Sequence, residues 1–178
     1  SKGIKDKNIV KLKNITLLGH SILAAKKSNI KKIIISSDSK KYIKIAKKYG
    51  IEAPFIRPKK YSKDNSLDED YLRHCYNWYY KNKKFKIDIF VILRPTTPFR
   101  DPKIIKKALK IFISKKLNYL RSAHEAPESP FKWFKQDKKG FYKPITKNSN
   151  LKMTFMGRQN FEEVYVPNGY IDILKTSL

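Results

Sequence analysis

Residues 90–102 read FVILRPTTPFRDP. With Ile87, Asp88 and Ile89 ahead of it, the run 87–93 is nearly continuously apolar, as in a parallel strand buried on both faces. The run leaves into Arg94-Pro95-Thr96-Thr97-Pro98-Phe99-Arg100. Asp101-Pro102 then opens a helix, with a capping aspartate and proline at the first helical position. Ile104, Ile105, Ala108, Leu109 and Phe112 supply its inner face.

The same alternation holds on the N-terminal side. IKKIIISSD (30–38) is a β-branched apolar run ending in Ser-Ser-Asp, and 39–50 has helical spacing closed by Gly50. Residues 51–58 predict a short strand. Residues 66–82 predict a helix opened by the capping-box pattern Ser66-x-x-Glu69. Strand and helix in alternation predict an α/β fold: three layers around a central, mainly parallel sheet, with strands near 32–37, 87–93, 118–124 and 168–173. Ligands of such sheets gather beyond the carboxyl ends of the strands, where Ser36-Ser37-Asp38 and Arg94 to Arg100 lie.

From about residue 126 the pattern changes. Residues 132–144 predict a hairpin turning at Asp137-Lys138-Lys139-Gly140, with aromatic residues on both arms, and 163–174 returns to strand character around Pro167-Asn168-Gly169. The expectation is one domain over 1–178, with 128–160 as an arm that contacts a second subunit in a homodimer. The aromatics Phe131, Trp133, Phe134, Phe141 and Tyr142 motivate it.

The 178 residues, 40% hydrophobic, suffice for one domain with a real core. No apolar run approaches the ~20 residues of a membrane span, and the single cysteine, Cys75, excludes an internal disulfide and predicts a small core residue in a reducing, cytoplasmic setting. The formal charge of +26 suggests nucleic acid at first sight, but the lysines are scattered along the whole chain and predict a solvated surface. Only Arg57, Arg73, Arg94, Arg100, Arg121 and Arg158 are arginines. Where lysine is the default cation, an arginine suggests either a buried ion pair or a site needing a planar fork.

Several segments, taken in order, resemble the acylneuraminate cytidylyltransferases, which couple CTP to nine-carbon sugar acids. SKGIKDKN is similar to the second half of the family's phosphate loop, ITLLGHSILAAKKS to the following helix, and IIISSDS to its Ser-Thr-Asp strand end. APFIRPKKYSKDNS resembles the Arg-Pro segment, LRPTTPFR the Gln-Pro-Thr-Ser-Pro-Leu-Arg signature, GRQ the Arg-Arg-Gln element, and PNGYI the Asn-Gly-Ala-Ile strand. The resemblance implies a nucleotide-diphospho-sugar transferase-like, Rossmann-like fold. It implies attack by the sugar's anomeric hydroxyl on the α-phosphate of CTP, so catalysis consists of positioning and charge neutralisation.

The resemblance assigns Ser1, Lys2, Gly3, Lys7 and Asn8 to the nucleotide loop, Arg57 to the cytosine and Asp68 to a polar contact there. It places Arg94, Thr96, Thr97, Arg100, Lys132, Arg158, Gln159 and Asn168 with the sugar acid, and gives the catalytic part to Lys7, Arg94 and Arg158. It implies Mg²⁺, with ligands in an Asp-x-Asp element beyond Leu178, and a phosphate-loop arginine before residue 1; without these the chain as given is expected to be inactive. The sequence departs from the family at Arg94, where glutamine is usual, at Tyr170 and Asp172, where Ala and Tyr are common, and at Met156-Gly157. Arg94 is expected to point into the cleft and Arg100 to hold the loop, pairing with a carboxylate. Three alternatives stay open: a CTP-dependent synthetase of the Kdo type; a basic nucleic-acid-binding module, which would show steep salt dependence rather than stabilisation by CTP; and a non-catalytic homologue that binds nucleotide without turnover.

Overall fold

The computed structural model describes residues 4–146 and 150–177. The chain forms two compact units, Ser1–Arg121 with Gly169–Leu178, and Ser122–Asn168.

In the first unit, β1 (Lys11–Leu12) and β2 (Ile15–Thr16) pair antiparallel across Lys13 and Asn14, both at positive φ. Thr16 then caps α1 (Leu17–Lys27), its hydroxyl accepting from Gly19 N at 3.0 Å. Helix α2 (Lys40–Lys48) starts at Ser39, which accepts from Tyr42 N, and ends before Gly50 at φ 66°. Helix α3 (Asp68–Lys83) starts later than the Ser66-x-x-Glu69 pattern predicts: the Asp70 carboxylate accepts from Leu67 N at 3.0 Å. Ser66 is already used by the preceding loop, accepting from Lys63 N at 3.0 Å and donating to Lys60 O at 3.2 Å.

Strand β3 (Ile89–Ile92) leads through the 94–100 loop to α4 (Pro102–Ser114), where Asp101 accepts from Lys103 N at 2.8 Å. Strand β4 (Tyr119–Glu125) follows. The second unit adds β5 (Phe134–Gln136), β6 (Tyr142–Pro144) and α5 (Leu151–Thr154), and the chain returns in β7 (Tyr165–Lys175). The sheet order is β3-β7-β4.

Helices cover both faces of this sheet. Ile89, Val91 and Leu93 pack with Ile105 and Phe112 of α4, Ala24 of α1, and Ile171 and Ile173 of β7. Phe90, of opposite parity, packs with Cys75 and Tyr79 of α3. A separate cluster joins Leu18 and Ile22 of α1 to Ile35, Ile43, Ala46 and Ile51. The α/β class therefore stands, with two differences of detail. Strand β7 pairs antiparallel with β3, Ile92 opposite Asp172, because it returns from the second unit instead of from a crossover helix. The expected strands at 32–37 and 51–58 meet only in a parallel bridge, Ile34 to Glu52. Ile35 N donates to Glu52 O at 3.0 Å and Glu52 N to Ile33 O at 3.2 Å, but the next donor of such a ladder falls on Pro54, which has no N–H.

In the second unit the predicted hairpin is present. β5 and β6 pair antiparallel, and Asp137 closes the turn by accepting from Lys139 N at 2.9 Å and Phe141 N at 3.1 Å, ahead of Gly140 at φ 87°. Phe131 is not on the hairpin surface; it stacks on Phe161 at 5.7 Å.

Candidate functional site

Arg100 anchors the loop that follows β3. Its side chain is 7% exposed, and all five N–H donors are taken. Nε donates to Tyr170 O at 2.5 Å, Nη1 to Ser21 Oγ at 3.0 Å and to Thr97 O, and Nη2 to Arg94 O at 2.7 Å and Gly169 O at 3.1 Å. Burial pushes its pKa down to about 10, leaving it charged at neutral pH. Arg100 was expected to pair with a carboxylate, but among the described residues it meets none; its donors tie the loop to α1 and β7. Gly169, at φ 66°, suits this joint. A Cβ there would stand 3.5 Å from Thr97 Oγ1 in a backbone conformation that side chains rarely adopt. Thr97 N closes the turn onto Arg94 O at 3.2 Å, and Thr96 is exposed.

Arg94 lies on the other side of the same turn and is half-buried. Its Nη1 pairs with Asp172 and its Nη2 with Asp68. Burial opposes its charge, but the hydrogen bond to Asp172 and the charges of Asp68 and Asp172 outweigh that and raise its pKa. Asp172 is 2% exposed, and its second oxygen accepts from Arg121 Nε at 2.9 Å. Burial alone would raise the pKa of Asp172, but its hydrogen bonds to Arg94 and Arg121 bring it below the usual carboxylate value. Two of the departures noted in the sequence, Arg94 and Asp172, thus meet each other. Asp68 sits at the start of α3 and serves Arg94 there. Burial, followed by the charge of Asp68 and its hydrogen bond, pushes up the pKa of the neighbouring Tyr71 phenol.

Arg57 joins the first strand end to this neighbourhood. Its backbone N donates to Ser37 O at 2.8 Å, its Nε to Ser62 Oγ at 2.9 Å, and its guanidinium lies 5.3 Å from the Tyr71 ring centre and 3.9 Å from Asp38. The two loops selected from the sequence as strand ends are therefore both built from arginine-centred contacts. Lys7 and Asn8 occupy a separate half-buried turn ahead of α1, and Ser1, Lys2 and Gly3 lie outside the described residues. His74 has a buried Nδ1 with no partner among the described residues. It packs edge-on against Phe55 at 4.7 Å, and burial followed by the charges of Arg57 and Lys60 lowers its pKa.

The remaining candidates belong to the second unit. Arg158 pairs with Glu125, and with Gln159, Ser129, Glu162 and Glu163 they line a cavity of about 480 Å³. Lys132 donates to Met156 O at 3.0 Å, and Asn168 accepts from Ser122 Oγ at 2.7 Å.

The cytidylyltransferase family model matches residues 1–168. The chain belongs to this family. It is 33% identical over 113 residues to the N-acylneuraminate cytidylyltransferase of Escherichia coli, covering 63% of this chain and 26% of that protein. To the protein of the same name in Streptococcus agalactiae it is 29% identical over 177 residues, which is 97% of this chain and 40% of the relative. The chain thus spans less than half the length of these two relatives. Among solved structures, CMP:2-keto-3-deoxy-manno-octonic acid synthetase complexed with CTP superposes with a TM-score of 0.68 at 13% identity, over 98% of this chain and 69% of that one, a likeness of fold.

Within this cytidylyltransferase fold, the sequence reading left Arg121 without a role and gave Asp172 only as a departure. Arg121 had a signal, as an arginine among lysines, and Asp172 as a departure, but nothing in the sequence joined the two across 51 residues. Among the described residues no group of three or more His, Cys, Asp or Glu side chains converges to hold a metal ion, so these residues alone do not form a Mg²⁺ cage. Nor is any helix among them long and apolar enough to cross a membrane.

Proposed function

We propose that the whole protein transfers the cytidylyl group of CTP to a nonulosonic, sialic-type sugar acid. The anomeric oxygen forms the new bond to the α-phosphate and loses its proton, the α–β phosphoanhydride bond breaks, and pyrophosphate leaves. The match to the cytidylyltransferase family over residues 1–168 carries this reading. The geometry suits it. A reaction without a covalent protein intermediate needs rigidly placed cations; the 94–100 loop, which carries Arg94, is fixed by Arg100, and Arg57 is held by Ser62 and Asp38 at the other strand end. Lys7 and Asn8, with Ser1, Lys2 and Gly3, are assigned to the nucleotide phosphates, Arg57 to the base, and Lys132, Arg158, Gln159 and Asn168 to the sugar acid. The reaction is proposed to require Mg²⁺ and to take place in the cytoplasm, in a homodimer of single-domain subunits whose residues 128–160 form the contact arm.

The test is pyrophosphate release by the full-length protein with CTP and Mg²⁺ across sialic, legionaminic and pseudaminic acids, with the eight-carbon acid Kdo as a further arm. Release with at least one nine-carbon acid is expected. No release with any of the three would overturn the reading, and release with Kdo alone would move the protein to the second reading that the fold neighbour favours.

A further inference from the structure

The contact between Arg121 and Asp172 has a geometry that stability alone does not explain. Asp172 lies between Ile171 and Ile173, which are buried in the main core, and the period-2 alternation of β7 carries it to the opposite face. There its two oxygens are divided between two guanidinium groups, Oδ2 to Arg94 and Oδ1 to Arg121. A carboxylate this buried must have its oxygens paired, and one bidentate arginine would suffice. Using two means that each is gripped by only part of its fork.

For Arg94 the rest of the fork is occupied by Asp68. For Arg121 it is not. Asp172 takes Nε, and among the described residues neither Nη group of Arg121 meets an acceptor, although its side chain is 45% exposed. Its guanidinium is kept in place from a second direction by the Tyr119 ring at 5.3 Å, two residues back on the same face of β4. Arg94, Asp172 and Arg121 together carry one net positive charge. Asp68 brings the four groups to zero but pairs only with Arg94, so Arg121 has no carboxylate besides the Asp172 that it shares.

We propose that Arg121 is a specificity-determining residue whose Nη edge binds an oxyanion of the substrates, and that Asp172 is the positioning residue that orients it. The Nη1–Nη2 edge of a guanidinium matches two oxygens of one anionic group, a geometry that a lysine ammonium cannot reproduce. Two sources share this chemistry, the carboxylate of the acid substrate and the phosphates of the nucleotide. The inference rests on the proposed cytidylyl transfer for its choice of substrates, and calorimetry makes it testable separately.

In the full-length protein, Arg121→Met and Arg121→Lys are compared with the wild type by pyrophosphate release and by direct titration calorimetry with CTP and with sialic acid. Loss of a charge-assisted contact is expected to raise the KM and Kd of one substrate by roughly 10- to 150-fold with little change in the other. An effect confined to the acid identifies the carboxylate as the bound group, and an effect confined to CTP identifies a phosphate. Arg121→Lys, which keeps a cation beside Asp172, should preserve the melting temperature but not the affinity. Affinities equal to wild type in both variants would overturn the inference even with the enzyme active. A wild type that binds both ligands without releasing pyrophosphate would overturn the proposed reaction, while the affinities still decide the role of Arg121. Binding of neither ligand to wild type would overturn both.

Discussion

At the scale of single residues, Asp172 makes the sharpest claim on stability. Its two ion pairs hold its folded pKa below the ordinary 3.8, despite burial. A depressed carboxylate stabilises the fold above its unfolded pKa, and that contribution is lost as pH falls through the folded value. Asp172→Asn should therefore lower stability at neutral pH by about 3 kcal/mol, toward the low end for breaking a buried pair because Arg121 is solvated. Denaturant titrations at pH 7 and pH 3 should show the difference between variant and wild type shrinking at the lower pH. A gap that stays constant with pH would contradict the linkage. Cys75 gives a second test. Burial alone pushes its thiol up to about 12, so alkylation by a maleimide at neutral pH should occur only on unfolding. Rapid labelling of the native protein would contradict the core placement of Cys75 read first from sequence.

At the scale of elements, what was legible in the sequence was what depends on neighbours along the chain. Asp101-Pro102 marked the start of α4, Gly50 marked the end of α2, and Asp137 to Gly140 marked the hairpin turn. Each is a bond across two to four residues or a required φ. Asp101→Ala should accordingly cost about 0.5–2 kcal/mol, read as a lower unfolding midpoint with an unchanged denaturant slope. What failed was where distant or competing bonds decide. Ser66 had the spacing of a cap but is held by the loop before it, and the strand around Ile34 is cut short by a proline on its partner segment. In the candidate site, the loop-holding part of Arg100 could be argued from its position at the end of the turn, whereas the partners of Arg94 and Arg100 could not. Asp172 is 78 residues from Arg94, and the five acceptors around Arg100 come from its own loop, α1 and β7.

At the scale of the whole molecule, the second unit raises the question of association. Its hairpin leaves Phe141 at 67% and Tyr142 at 71% exposure, and Phe155, after α5, at 82%. Trp133 and Phe134 are also exposed, the latter only partly covered by Tyr142 at 6.1 Å. Scattered apolar residues on a surface need no explanation, but so many aromatics in a unit of residues 122–168 are more than a short hairpin holds in water without a partner. The chain's charge of +26 opposes association of two copies, so burial of these rings has to outweigh a repulsion that salt screens. The proposed homodimer should therefore tighten with ionic strength, the opposite of what a nucleic-acid complex does. Sedimentation of the full-length protein at tens of micromolar (roughly, well above ordinary dimer constants) should show a dimer. Replacing Phe141 and Tyr142 together by lysine should yield a monomer with an unchanged far-ultraviolet spectrum, since neither ring is part of a buried core cluster. A wild-type monomer at every salt concentration, or a dimer that survives the double substitution, would remove this hairpin from the interface.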